Sequence, residues 1–171
     1  MAIQRLPRRS LLGGLAALAA MPSMASAREV IELTWNDLLP EDPSSVPPLP
    51  QRLLSLLSHD EASLASQQPR STGVRSDWNG KTVRIPGFVV PLAFAGAGVT
   101  SFILVPYVGA CIHVPPPPAN QLVLVTAERP YEVEGLFAAV SVTGTFATAA
   151  TSTELAQIGY ALSADRIEPY G

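Results

Sequence analysis

Four consecutive prolines, Pro115 to Pro118, stand between two apolar runs, "SFILV" (Ser101–Val105) and "QLVLV" (Gln121–Val125). Each proline fixes φ and removes a backbone donor, so the stretch fits neither a helix interior nor the middle of a sheet. In polyproline II geometry it forms a rod of about 12 Å. The chain around it is confined to short elements joined by a rigid connection. Both flanking runs are apolar at successive positions, the pattern of strands covered on two faces.

The neighbouring phrases are also strand-like. "GKTVRIPGFVVPL" puts Val83 and Ile85 on one face, with Gly87 where a strand bends or bulges. "AAVSVTGTF" alternates Val140, Val142 and Phe146 across Gly144, and "SADRIEPY" reads as a closing strand. "TSTELAQIGYAL" opens with a capping-box-like pattern (Thr151 or Ser152 with Glu154) and predicts one or two helical turns. Short strands with a turn signal every ten residues or so predict a mainly β fold, a small OB-like β-barrel. Its glycines let coiled strands serve both sides. A β-sandwich is the alternative.

Three segments follow from this reading. Residues 1–27 have a basic start, a short apolar stretch and a small-x-small site ending at Ala27, the grammar of a cleaved signal peptide. Arg8-Arg9 followed by Ser10-Leu11-Leu12 fits a twin-arginine signal as well as an ordinary secretory one. No cysteine stands at the cleavage site, so the expectation is a soluble, exported, periplasmic protein without a lipid anchor. Residues 28–73 form an N-terminal extension: a strand in "REVIELTW", a proline-broken stretch, a leucine stripe from Leu53 to Leu64 of helical spacing, and a linker. This helical and loop extension is expected to lie loosely on the barrel domain, residues 74–171.

Charge and cysteine usage narrow the function. Removing the signal takes away Arg5, Arg8 and Arg9 and no acid, so 11 basic residues become 8 against 14 acidic ones. Nucleic acid, which needs clustered lysine and arginine, is excluded as a partner, and so is an anionic membrane surface. The one cysteine, Cys111, can form no internal disulfide in an oxidising compartment. About 145 residues suffice for one hydrophobic core, so stability must come from burial.

Cys111 and His113 sit two residues apart, directly before the prolines. If Gly109–Val114 is extended, both side chains face the same way, and thiolate plus imidazole is a good donor pair for Zn²⁺. Two donors are too few. Tyr107, Asn120, His59 and Glu132 are candidate additions, and spacing does not choose among them. Copper is disfavoured, since the methionines are Met1, Met21 and Met24, all in the signal. Two other readings stay open. In one, Cys111 is a nucleophile activated by His113, a thiol enzyme. Or it is a buried small hydrophobe, with His113, Asn120 and Gln121 shaping the loop and satisfying backbone groups near Pro115, Pro116 and Pro117. In that case the proline-rich loop is a protein–protein interaction module. Trp35 and Trp78 are expected as core or lid aromatics, Tyr160 and Tyr170 at the open end of the barrel.

Taken together, "RIPGFVVPL", "FILVPYVGACIHVPPPPANQ", "VSVTGTF" and "YALSADRIEPY" resemble a family of exported bacterial proteins, domain of unknown function 3299. The resemblance runs from Ile31 to Tyr170 apart from the helical insert, and its most specific piece is Gly109 to Pro117 followed by Asn120-Gln121. It implies a periplasmic protein or lipoprotein encoded near ABC transporter components and a periplasmic metal-binding protein. A role in zinc or other metal handling is thereby implied, with Cys111 and His113 as candidates for its site, and the leading expectation is a non-enzymatic transport accessory that binds a transition metal or small ligand there. The chain departs from lipoprotein members in lacking a lipidated cysteine.

Overall fold

A computed structural model describes residues 29–40 and 67–170. The signal peptide, the Leu53–Leu64 stripe and His59 lie outside the described residues. The described residues form six strands: β1 (Ile31–Glu32), β2 (Thr82–Ala95), β3 (Gly98–Val105), β4 (Val123–Glu132), β5 (Ala139–Ser152) and β6 (Gln157–Pro169). Five of them close a barrel in the order β2-β3-β4-β6-β5, with β5 returning to β2. The β4–β6 pair is parallel and the other barrel pairs are antiparallel. That is the strand order of an OB-like barrel. β1 is an extra strand, parallel to the start of β2. No described helix is long and apolar enough to cross a membrane.

Strand length explains the closure. β2 pairs with β5 from Thr82 to Phe88 and with β3 from Phe88 to Ala95. The change of partner falls beside Gly87, where an added Cβ would stand 2.8 Å from Leu104 Cγ and 2.9 Å from the Val105 carbonyl oxygen. Only a residue without a side chain lets β3 approach so closely.

Alternation sorts the apolar side chains into two clusters. Val83, Ile85, Val89, Phe102, Leu104, Val140, Val142 and Phe146 fill the barrel interior. Val90, Ile103, Val105, Leu122 and Ile158 form a second cluster outside it. The apolar run of β3 is thereby accounted for: Phe102 and Leu104 point inward, and Ile103 and Val105 point outward beneath the β3–β4 connection. Each such burial stabilises the fold by roughly 1.5–3 kcal/mol.

Two expectations are corrected here. The stretch after Thr151 is not helical. The Thr153 hydroxyl accepts from the Leu155 and Ala156 amides at 3.3 and 3.1 Å, closing the β5–β6 hairpin. A hydroxyl that caps helices serves equally in a turn, and the alternate burial of Ile158, Tyr160 and Leu162 carries the chain onward as strand. Tyr170, expected at the barrel's open end, is 59 % exposed.

Two side chains of the described N-terminal extension are packed into the barrel. Leu33 and Leu38 join the interior cluster. A 3₁₀ turn, Trp35–Leu38, follows β1. Tyr160, fully buried, ties the N-terminal arm to the barrel: its hydroxyl donates to the Leu38 carbonyl at 2.7 Å and accepts from the Arg75 amide, just past the extension, at 2.7 Å. Burial lifts the Tyr160 phenol above its ordinary range. Tyr160→Phe removes both bonds, and a loss on the order of 2 kcal/mol is expected in urea unfolding.

The turn itself carries a pH dependence. The Thr34 hydroxyl and amide both donate to the Asp37 carboxylate at 2.7 Å. These bonds, with a smaller contribution from Arg75, hold the Asp37 carboxyl below its usual value. A depressed folded pKa stabilises the protein above the unfolded value, and that stability is lost as pH falls through the folded one. Asp37→Asn should therefore flatten the decline in stability below about pH 4, followed by thermal melts across pH.

Candidate functional site

The connection from β3 to β4 spans residues 106–122 and includes a 3₁₀ turn, Ala119–Gln121. Gly109 adopts φ +92°, and its carbonyl accepts from the amides of Ile112, His113 and Val114 at 3.4, 2.9 and 3.2 Å. Cys111 is itself left-handed, at φ +67°. This is a knot of turns, so the extended backbone that would align Cys111 and His113 does not form. The alternation argument fails for a specific reason: a glycine of positive φ starts a reversal where the sequence shows only apolar residues.

The two side chains have separate surroundings. Cys111 is 2 % exposed and packs in the outer cluster with Val90, Ile103, Val105, Leu122 and Ile158. Burial pushes its thiol up to about 11, so it is protonated at neutral pH. His113 is exposed, its ring 6.1 Å from that of Phe137 between centroids. A zinc ligand must be a thiolate, and a nucleophile must be reachable. The buried thiol fits neither role, and among the described residues no three histidine, cysteine or acidic side chains converge on a common point.

The other candidates do structural work. Asn120, 1 % exposed, donates through Nδ2 to the Gly73 carbonyl at 2.9 Å and the Thr72 hydroxyl at 3.2 Å. Gln121 Nε2 donates to the Trp35 carbonyl at 2.8 Å. Both hold the N-terminal segments, whereas the proline run was expected to be their charge. The Pro117 carbonyl instead accepts from Gln68 Nε2 at 2.8 Å. Pro116 and Pro117 are buried and Pro115 is exposed. Glu132 is exposed at the end of β4, paired in register with Gly98.

What these ties create is a groove of about 710 Å³. The Pro115–Pro118 run lines it together with Pro106, Tyr107 and Val114 of the turn, Trp35 and Asn36 of the arm, and Pro69 and Gln121. Tyr107 is 43 % exposed and Val114 42 %, with Val108 beside them at 60 %. Burial, and then the nearby Cys111 sulfur, raises the Tyr107 phenol above its ordinary value, so it stays a neutral donor. Trp35 is preset, because its indole N–H donates to the Pro86 carbonyl at 2.8 Å. Sequence reasoning missed the contributions of Asn36, Pro69 and Pro106, since no spacing brings residues 35–36 and 69 against residues 106–118.

Fold and groove together define a small OB-like barrel protein with a clasped N-terminal arm and a proline-walled surface groove. The chain belongs to the DUF3299 family, whose description is "Protein of unknown function (DUF3299)" and whose profile matches residues 35–169. It is similar to a solved structure of a DUF3299 family protein from Pseudomonas aeruginosa, at 40 % identity and a TM-score of 0.69. The likeness covers 84 % of this chain and 97 % of that one. No curated protein matches the sequence.

Proposed function

We propose that the protein is an exported, periplasmic, non-enzymatic module that docks a partner protein in the proline-walled groove. The observation that carries this is the exposure of Tyr107 and Val114 beside a backbone that cannot collapse. Exposed apolar side chains gathered at a concave surface mark interaction sites. The burial of Pro116 and Pro117 makes the run a wall of the groove, in place of an arm offered to a partner's aromatic cleft. Preset walls lower the ordering cost of binding.

The link to metal handling and ABC transport that the resemblance implies attaches, in this reading, to the partner. A zinc ion held by Cys111 and His113 would need the thiol to leave its apolar cluster and ionise. The same burial weighs against a thiol enzyme. Site-specific photo-crosslinking in cells tests the docking reading. A photoreactive residue at Tyr107 or Val114 should give a discrete adduct, and one at Glu128, exposed on β4 and absent from the groove lining, should not. Equal labelling from all three positions, or none, would contradict it.

A further inference from the structure

Resting on that docking reading, we infer that the groove selects an uncharged, proline-bearing partner segment in polyproline II conformation. Among the described residues, none that lines the groove is charged at neutral pH. A charged side chain entering it would shed water and meet no counter-charge, a cost that an uncharged segment avoids. The acidic balance left after removal of the signal, 14 acids against 8 bases, adds repulsion for an acidic segment.

Hydrogen bonding narrows the occupant further. The wall from Pro115 to Pro118 has no backbone N–H, and Pro106 and Pro69 extend the deficit. A strand added along it would need alternating donors and acceptors, and its carbonyls would find no amide there. Polyproline II needs no ladder, keeps its backbone in water and, at each proline, has no N–H to strand. Trp35 and Tyr107 supply aromatic faces for proline rings, and aromatic-lined grooves are the general solution for such ligands. The Tyr107 hydroxyl and the Asn36 amide can donate to the carbonyls of the occupant.

The test is calorimetric titration of the purified protein with three blocked peptides: decaproline, decaproline flanked by two glutamates at each end, and an uncharged decapeptide alternating threonine and valine. Decaproline should saturate one site, with the other two at least about tenfold weaker. Tyr107→Ala should weaken decaproline at least about fivefold, and Tyr107→Phe, which keeps the ring and loses only the hydroxyl donor, by less than Tyr107→Ala does. Absence of saturable decaproline binding, equal binding of the threonine–valine peptide, or indifference to Tyr107→Ala would overturn the inference. The crosslink at Tyr107 reads docking whatever the sequence of the occupant. A discrete adduct with failed decaproline binding retires the polyproline selection alone, and loss of the adduct retires both readings.

Discussion

Gly144→Val should prevent the barrel from closing, with a fall in Tm of roughly 10 °C or no soluble protein at all. Gly144 pairs with Val83 of β2 and with Ala164 of β6, at a point where the β5–β6 register shifts. A Cβ there would run into the Ser163 carbonyl oxygen and stand 2.9 Å from Ala164 Cα. These are backbone atoms of a paired strand and cannot swing aside, so the cost is about 3 kcal/mol or more. Gly96→Ala is the contrast. Nothing lies within 4 Å of its added Cβ, but its φ is +61°, so only backbone strain of about 1 kcal/mol is expected. Thermal melts of the two variants separate lack of space from lack of conformational freedom.

Phe146→Ala should cost about 3–5 kcal/mol, as a full aromatic side chain is removed from a site with no solvent contact. Phe146 is 0 % exposed, and its ring centroid stands 5.1 Å from that of Tyr160. Its amide and carbonyl bond to Lys81 and Gly80, so the backbone around the deleted ring cannot collapse far. Tyr160 would lose its packing partner while still holding Leu38 and Arg75. Urea unfolding should show a larger loss for Phe146→Ala than for Tyr160→Phe, since a cavity is added to the lost contacts.

The barrel was legible where one physical period governed the chain. Val83, Ile85, Val140, Val142 and Phe146 alternate because one strand face meets the interior, and the double-sided burial of "FILV" follows from the loop that covers β3. The short helix expected after Thr151 failed because capping and turn-closing use the same hydroxyl geometry. The arm was expected to be loose because its prolines break regular structure. Yet Leu33, Leu38 and the Tyr160 bonds fasten it, through contacts more than 120 residues apart in sequence, as in Tyr160 to Leu38.

The site was legible only as a neighbourhood. The run from Tyr107 to Gln121 does hold the groove, but the residues that chemistry favours, Cys111 and His113, are divided between an apolar cluster and solvent. Their spacing predicts a shared face only for an extended backbone, and the positive φ at Gly109 and Cys111 removes that premise. Pro115–Pro118 line that groove. Its other walls, Trp35, Asn36 and Pro69, reach it through side-chain bonds to backbone that local patterns do not encode.

Cys111 is part of the outer apolar cluster and does not line the groove proposed for docking. The rate of Cys111 alkylation by iodoacetamide in the native protein, with and without zinc, measures this directly. A rate at least about a thousandfold below that of the urea-unfolded chain, unchanged by zinc, is predicted, because modification must await opening of the outer cluster. Labelling of the folded protein at the unfolded rate, or labelling that zinc suppresses, would contradict it.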